Sequence, residues 1–478
     1  MKKITLFLFA LVLCGLRVLA QNGTPDPGFD PGLGFNGSVF AIEIQNDGKI
    51  LVGGDFTEYN GNSSRPYLLR LNANGTLDNT FNANVNSAVL AIETDNNDIY
   101  IGGVFSTVGG VSRNCLAKLT NSGTLVPAFS SQIENGGVVN SIKNLSGGAI
   151  FVAGLFDYAP NSIIKNSLIV TKQNGNAQIL AGHPGFNDVI IHTAVDFDGN
   201  ANGDTLIVCT GLFTEMYGSV ASGIGRMKFR AANNLPVNDS PNFNSGVGFN
   251  LIARASAIFP DNKMVVTGLF DSYKGINSPK IAKINNDGTI DNSFNSPFST
   301  GLYSGNAIEV DAEGYIVVGG SFTDGGNQAN LYRLNPSGQI DAAFNPAGTG
   351  PNDLVNIMAW QADGKLLVGG SFTQYNGISY NGIVRLNYTT TVSVSESENE
   401  LVMNVFPNPA SSELNIQLPD YCTQAVVKLI DLAGRVVILK EVTDTNLSSL
   451  DIAELQSGIY LLNVTAGGQS LTQKIVKN

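Results

Sequence analysis

Lys49-Ile50-Leu51-Val52-Gly53-Gly54-Asp55-Phe56-Thr57 is the stretch that decides the fold. A short run of branched apolar residues ends on paired glycines and a phenylalanine, which reads as a buried strand closed by a tight corner. The same ending returns as Gly102-Gly103-Val104-Phe105-Ser106, Ala153-Gly154-Leu155-Phe156-Asp157 and Thr210-Gly211-Leu212-Phe213-Thr214. Three more copies are Thr267-Gly268-Leu269-Phe270-Asp271, Gly319-Gly320-Ser321-Phe322-Thr323 and Gly369-Gly370-Ser371-Phe372-Thr373. The phenylalanines step by 49, 51, 57, 57, 52 and 50 residues, so one unit is repeated seven times.

Working outward from the anchor, each unit reads as four short antiparallel strands. In the first copy strand A runs from Val39 to Gln45 and turns at Asn46-Asp47-Gly48 into strand B, Lys49 to Val52. A variable loop leads to strand C, Tyr67 to Leu71, and Asn74-Gly75 turns into strand D carrying Leu77, Asp78 and Phe81. Four strands in about 50 residues is the size of one propeller blade; solenoids use roughly 20–45 residues per repeat and need caps. The seventh copy stops after Arg385-Leu386-Asn387, yet Gly23-Thr24-Pro25-Asp26-Pro27-Gly28-Phe29 matches Gly75-Thr76-Leu77-Asp78-Asn79-Thr80-Phe81. The amino-terminal strand is therefore expected to complete the last blade, so that 22–388 form an all-β, seven-bladed β-propeller.

Composition agrees with this reading. Of 478 residues only 14% are charged, glycine numbers 54, and the formal net charge is −12. An acidic chain with few clustered Lys or Arg excludes nucleic acid as a partner. Length alone suggests three domains, but the repeats reduce this to one ring and a small second module.

Residues 1–20 read as a signal peptide: Lys2 and Lys3, an apolar stretch from Ile4 to Leu16, and Val18-Leu19-Ala20 before Gln21. Bulky Leu13 before Cys14 argues against a lipoprotein box. No segment has eighteen consecutive apolar residues, so no membrane span is expected. Cys115, Cys209 and Cys422 read as small buried hydrophobes rather than a disulfide framework. At the other end, 389–402 is a polar, glycine-free linker and 403–478 reads as a small Ig-like β-sandwich.

Two resemblances follow from these motifs. The Asp-Gly-Lys turn, the Gly-Gly-x-Phe-Thr anchor and Arg70-Leu71-Asn72, Arg333-Leu334-Asn335 and Arg385-Leu386-Asn387 resemble the delta-60 repeat family of secreted bacterial proteins. Copies 3 and 4 depart from it, with Lys172-Gln173-Asn174 and Phe229-Arg230-Ala231 in the last position. That resemblance implies a propeller-like fold and no common activity. Residues 403–478 resemble the type A sorting domain of the type IX secretion system of Bacteroidota. The carrying motifs are Phe406-Pro407-Asn408-Pro409-Ala410, Asp431-Leu432-Ala433-Gly434-Arg435, Gly458-Ile459-Tyr460 and Lys474-Ile475-Val476-Lys477. The resemblance implies Pro407, Asn408, Pro409, Asp431, Gly434, Gly458, Tyr460 and Lys474 as sorting residues. It also implies the secretion machinery and its sortase as partners, removal of the domain on exit, and a secreted or outer-surface location reached through the periplasm.

Chemistry is sparse. The chain holds two histidines, His183 and His192, both read as exposed bystanders beside a loop, and no metal-binding His-Glu-x-x-His, nucleophile elbow or phosphate loop. In copy 4 the A–B turn expands to include Asp196, Asp198, Asn200, Asn202 and Asp204, alternating oxygen ligands of the kind calcium takes. Ile207 stands where an EF-hand has its glutamate, and a plain extended turn has the same composition. No other cofactor is implied.

Glu43, Glu93 and Glu309 share one register of strand A and are expected to line the central channel. They form either a solvated wall or an acid–base pair for a polysaccharide-active enzyme. Ala257 and Ala359 break that register. The B–C and D–A loops, long and variable, share one end of every blade and mark it as the recognition face. Tyr59, Tyr273 and Tyr375 fall at one register and read as packing residues, as does Trp360. Three functions stay open: a non-enzymatic binding or adhesion module for glycan or protein, an enzyme with its site at the channel, and a structural component of the envelope. The first is favoured because no acid–base motif converges.

Overall fold

The computed structural model describes residues 22–130, 133–134, 136–145, 148–157, 165–176, 185–197, 205–230, 235–239, 242–243, 246–300, 303–322, 330–346, 348–388, 404–417, 424–431, 435–443, 447–466 and 469–478. The segments expected to be a signal peptide, 1–20, and a linker, 389–402, fall outside these. The chain divides into two compact units, Met1–Thr390 and Thr391–Asn478, and no helix occurs among the described residues.

The first unit is a series of antiparallel sheets, each built from strands A, B and C in that order. The sheets begin with Val39–Ile44, Val89–Asp95, Val138–Leu145, Ile190–Phe197, Ala253–Ile258, Ser304–Val310 and Val355–Trp360. Their B strands end on the anchor: Ile50–Gly54, Asp98–Gly103, Ala149–Asp157, Thr205–Gly211, Met264–Gly268, Ile316–Ser321 and Leu366–Gly370. Local chemistry explains the turns. Gly48 sits at φ 81° and Asp47 Oδ1 accepts the Lys49 N–H at 3.1 Å, which is why the A–B turn reads Asp-Gly-Lys.

Strand D is shorter than the sequence suggests. In most sheets it is a single bridge, Leu71 with Leu77, Leu119 with Leu125, Ile284 with Ile290 and Leu334 with Ile340. Among the described residues only the fourth sheet has a regular fourth strand, Leu235–Asn238. A charge pair replaces the missing ladder. Arg70 Nε donates to Asp78 Oδ2 at 2.8 Å, Lys49 Nζ lies 3.0 Å from the same oxygen, and Asp78 Oδ1 caps Thr80. The Arg of strand C, the Lys of the turn and the Asp of strand D are thus one cluster.

The same cluster joins the two ends of the unit. Arg385 Nε donates to Asp26 Oδ2 at 2.7 Å, Lys365 Nζ does so at 2.8 Å, and Pro25 bridges Leu386. Asp26 N–H donates to Arg385 O at 2.8 Å, as Asp78 N–H does to Arg70 O at 2.9 Å. Register also corrects copy 4. Val208 pairs with Arg226 as Leu51 pairs with Arg70, and Arg226 meets Asp239 at 2.6 Å, so the motif is Arg226-Met227-Lys228 rather than Phe229-Arg230-Ala231. In copy 3 the equivalent position is Ile169, not Lys172.

Apolar cores lie between neighbouring sheets. One joins the first two sheets (Leu51, Phe81, Val89, Ile92) and another joins the first to the last (Val39, Ile42, Val52, Leu367, Ile383). The paired glycines make this contact possible. A Cβ on Gly53 would lie 2.8 Å from Val89 Cγ1 of the next sheet, and one on Gly369 would lie 2.8 Å from Val39 Cγ1. The second glycine lets the carbonyl before strand A approach, as Ser38 O does at Gly54. Between the fifth and sixth sheets the sizes are exchanged, with Thr267 in the place of the first glycine and Gly305 facing it.

The second unit has a three-stranded sheet (Asn404–Phe406, Glu413–Gln417, Leu447–Asp451) and a four-stranded one (Val436–Thr443, Gln424–Asp431, Gly458–Ala466, Gln469–Lys477). Leu414, Ile416, Val427, Leu429, Leu462 and Ile475 form one core from both sheets.

Candidate functional site

Each A strand carries a β-bulge after its first or second paired residue: Phe40, Leu90, Asn140, Ile191, Arg254, Asn306 and Asn356 occupy it in turn. The A strands of the first four sheets and of the sixth and seventh line a cavity of about 260 Å³. Phe40, Leu90 and Asn140 line it near the D–A end, and Glu43, Lys143 and Glu309 line it three residues further on. Pairing places Glu43, Glu93, Lys143, Ala194, Ala257, Glu309 and Ala359 at one register.

Two of the three carboxylates hold neighbouring sheets together. Glu43 Oε1 accepts the Thr94 N–H at 3.1 Å and the Thr94 hydroxyl at 2.7 Å. Glu93 Oε1 accepts the Asn144 N–H at 2.9 Å, while its other oxygen lies 3.7 Å from Lys143 Nζ. A carboxylate on one inner strand thus satisfies an edge N–H of the next, which no sheet partner reaches. Burial, reinforced by the charge of Glu93, pushes Glu43 up to about 7. Burial also pushes Glu309 up to about 7, against the pull of Lys143. For Lys143, burial acts downward, but Glu93, Glu43 and Glu309 together outweigh it and hold the amine above its ordinary value.

His192 is not an exposed bystander. It lies within strand A of the fourth sheet and lines the cavity, where burial and then the Lys143 charge depress it to about 3. The imidazole is therefore neutral at physiological pH, with Nδ1 accepting the Ser256 N–H at 3.4 Å. His183 lies outside the described residues. Lys143 and His192 were the residues that sequence reasoning missed. Counting the Glu43 register into copy 3 finds Lys143, whereas His192 needed the bulge position in copy 4.

The B–C loops are less variable than their sequences. Among the described residues the loop opens with a two-residue hairpin in four sheets: Thr107–Val108 with Val111–Ser112, Glu215–Met216 with Ser219–Val220, Ser272–Tyr273 with Ile276–Asn277, and Gln374–Tyr375 with Ile378–Ser379. Both central residues have positive φ, as at Asn376 (52°) and Gly377 (75°), the type I′ turn that suits a tight hairpin. The tyrosine register is packing, as expected: Tyr273 OH donates to Gly288 O at 2.8 Å and Tyr375 OH to Gly23 O at 2.6 Å, both fully buried.

These hairpins expose aliphatic side chains. Val111, Val220 (59% exposed), Ile276 and Ile378 (59%) hold one position, and Val104, Leu155 and Leu212 hold another, in the anchor. Leu33, Val247 and Leu251 stand on the D–A loops. All ten lie at the B–C/D–A end, and Ile340 is the only other exposed large apolar residue among the described residues of this unit.

Of the turn suited to calcium, 198–204 lie outside the described residues and Asp196 ends the preceding strand's described side chains. No cluster of three or more His, Cys, Asp or Glu able to hold a metal occurs among the described residues.

In the second unit the motif residues build the sheet edges. Asn408 Nδ2 donates to Lys474 O at 2.8 Å, and Asn408 Oδ1 accepts the Val476 N–H at 2.9 Å, so the segment around Pro407 and Pro409 is stitched to the last strand. Asp431 binds Arg435 through its N–H at 2.9 Å and its Nε at 2.8 Å across a turn whose Gly434 lies outside the described residues. Tyr460 is buried and its hydroxyl donates to Gln456 O at 2.9 Å, while Gly458 has open space around it and Lys474 is exposed.

Fold and motifs together define an exported all-β protein made of β-propeller repeats and a terminal sorting module. More particularly, residues 404–478 match the secretion system C-terminal sorting domain, and 45–81, 95–129, 260–294, 314–344 and 361–387 match the domain of unknown function DUF5122 beta-propeller. The chain thus carries DUF5122 beta-propeller repeats and a C-terminal sorting domain of the type IX secretion system, and the sorting domain directs it to the cell surface or extracellular space. No helix among the described residues is long and apolar enough to cross a membrane. No curated protein matches the chain. Among solved structures it is similar to the computationally designed Ika8 protein (11% identity, 81% of this chain and 96% of that one, TM-score 0.36). It is also similar to a gluconolactonase from Xanthomonas campestris (10%, 75% and 97%, TM-score 0.31) and a putative exported protein from Bacteroides fragilis (11%, 58% and 78%, TM-score 0.25). Likeness at that level transfers no activity.

Proposed function

We propose that the chain is an exported seven-bladed β-propeller, its last blade completed by 22–30, that binds a protein partner through its B–C/D–A face without chemical turnover. The observation that carries this is the gathering of ten exposed aliphatic side chains on that one face, since apolar surface concentrated in one place marks an interaction site. Sugar rings prefer aromatic platforms, and this face offers aliphatic ones, so protein is favoured over glycan. The enzyme reading loses support because Glu43 and Glu93 are engaged by backbone N–H groups of the next sheet.

In this reading residues 1–20 are a signal peptide, 22–388 a ring of delta-60 type, 389–402 a linker, and 403–478 an Ig-like sorting domain removed by the sortase in a member of the Bacteroidota. The calcium-binding turn stays part of the proposal.

Cross-linking of the exported protein on intact cells, followed by mass spectrometry, tests the face. A protein partner captured by the native chain and lost in the Val220→Lys/Ile378→Lys variant supports it. An unchanged capture by that variant, or shortened glycans after incubation with the protein, overturns it.

A further inference from the structure

Five sheets close the corner after the anchor in the same way. An asparagine of the D–A loop (Asn36, Asn86, Asn187, Asn250 or Asn352) accepts two consecutive backbone N–H groups with its Oδ1, as Asn187 does from Thr214 at 2.9 Å and Glu215 at 3.0 Å. The third sheet has Glu134 there instead. Its N–H donates to Asp157 O at 3.1 Å, as Asn36 N–H does to Glu58 O at 3.3 Å, but its carboxylate bonds to nothing among the described residues. Beside it, between the third and fourth sheets, a cavity of about 320 Å³ opens at the B–C/D–A end.

Glu134, Asp157, Asp188 and Asn166 line this cavity together with Leu155 and Phe156. Asn166 is only 5% exposed and stands at the head of strand C with φ 67°, as Asn330 does with φ 64° in the sixth sheet. Each sends Nδ2 to a carbonyl of the next sheet, Phe186 O and Pro351 O, both at 3.1 Å. Asn330 Oδ1 also accepts the Phe322 N–H at 2.9 Å. In the third sheet strand B runs on to Asp157, which pairs with Lys165, and Asn166 Oδ1 has no donor among the described residues. The Asp188 side chain accepts only the N–H of its neighbour Val189, at 2.7 Å, and none of the three carboxylates is in an ion pair with a described residue. Asn187, also in the wall, spends its amide on Thr214 and Glu215. Every free side-chain group that these residues offer the cavity is therefore an oxygen acceptor. The most deeply buried of them, Asn166 Oδ1, lacks the donor that such groups normally find.

We propose that this cavity receives an arginine side chain of the protein partner, its guanidinium held by Glu134, Asp157, Asp188 and Asn166 Oδ1. This rests on the reading of the B–C/D–A face as a protein-binding surface and names the group that anchors the partner there. Acceptors from two sheets surround the space, and a guanidinium presents a planar fork of N–H donors where an ammonium is a single point charge. The cavity is far larger than a metal ion, and no three carboxylates among the described residues come close enough to hold one. Leu155, half exposed at the mouth, offers an apolar wall to the methylenes of an arginine.

Saturation-transfer NMR of the full chain at neutral pH and physiological salt tests it, with Nα-acetyl-L-arginine N-methylamide as probe and its citrulline and lysine counterparts as controls. The arginine probe should bind in the millimolar range, citrulline roughly tenfold more weakly, and lysine in between. Glu134→Gln/Asp188→Asn should weaken the arginine probe roughly tenfold and leave the Tm unchanged, since both side chains are exposed. The same variant should lose the partner that the native chain captures on intact cells. Val220→Lys/Ile378→Lys should bind the probe as the native chain does, so the aliphatic face and this cavity fail separately. Equal binding of arginine and citrulline, tighter lysine, undiminished binding in Glu134→Gln/Asp188→Asn, or a marked fall in its Tm would each overturn the assignment. So would displacement of the probe by millimolar calcium, or unchanged capture of the partner by a variant that no longer binds the probe.

Discussion

The contact between Thr267 and Gly305 offers a sharp test of how the sheets fit together. In most repeats a glycine at the end of strand B faces a valine on the next strand A, as Gly53 faces Val89. Between the fifth and sixth sheets the sizes are exchanged, and the Thr267 hydroxyl fills the place of that valine, donating to Lys280 O at 2.7 Å. A Cβ on Gly305 would overlap Thr267 Oγ1 and lie 2.8 Å from Thr267 Cβ. Gly305→Val must therefore expel the Thr267 side chain. Overpacking costs about 1–3 kcal/mol and the lost buried hydrogen bond about 1 more, so the expected destabilisation is about 2–4 kcal/mol. For a cooperative unit of about 370 residues, that lowers Tm by about 3–5 °C. Thr267→Gly alone loses the same hydrogen bond and leaves a void. Combined with Gly305→Val it recreates the Gly53–Val89 arrangement, so the double variant should be more stable than either single one. Urea and thermal unfolding of all three close the cycle, with a coupling of at least about 1.5 kcal/mol expected. A stable Gly305→Val, or additive losses in the double variant, would refute the complementary-size reasoning.

Other expectations concern charge and the chain ends. Glu309 and Glu43 have folded pKa values of about 7, above the ordinary carboxyl value, so their stabilising contribution is complete below about pH 4.5 and is lost as pH rises through 7. Tm should fall between pH 5 and pH 8, and Glu309→Gln should flatten that fall by on the order of 2 kcal/mol. Asp291, held down at about 2 chiefly by Ser293 and Lys263 bonds against its burial, acts oppositely and loses its contribution only as pH drops through that value. Asp26→Ala should cost about 3–5 kcal/mol by stranding Arg385, and limited proteolysis should then release the segment before Val39. Millimolar calcium should raise Tm, and Asp198→Ala should abolish the rise; the absence of any shift removes calcium from the account. Intact-mass analysis of the surface form should find a chain lacking Tyr460, whereas its retention would speak against removal of the sorting domain.

The repeat, the all-β class and the kinship of the two chain ends were legible in the residues because a blade is a local object. Its turns, its apolar runs and its Gly-Gly corner lie within about 50 consecutive positions, and Asp26 could be recognised by comparison with Asp78. The sorting segment was legible for the same reason, since Asn408 and Asp431 each sit in a compact motif. Distances across the sequence were not legible. Whether Glu43 is a free acid or a tie to the next sheet depends on Thr94, 51 residues away. The true register of copy 4, and hence the role of Arg226, needed the Val208 pairing. The hairpins that order the B–C loops and lift the aliphatic side chains to one face follow from backbone twist and positive φ, which composition does not reveal. Sequence alone thus determined the unit, its repetition and its export address. Tertiary structure decided which polar groups are spent on joining sheets, as the Glu43 and Glu93 carboxylates are. An inner strand's neighbours belong to the next repeat, and no local pattern names them.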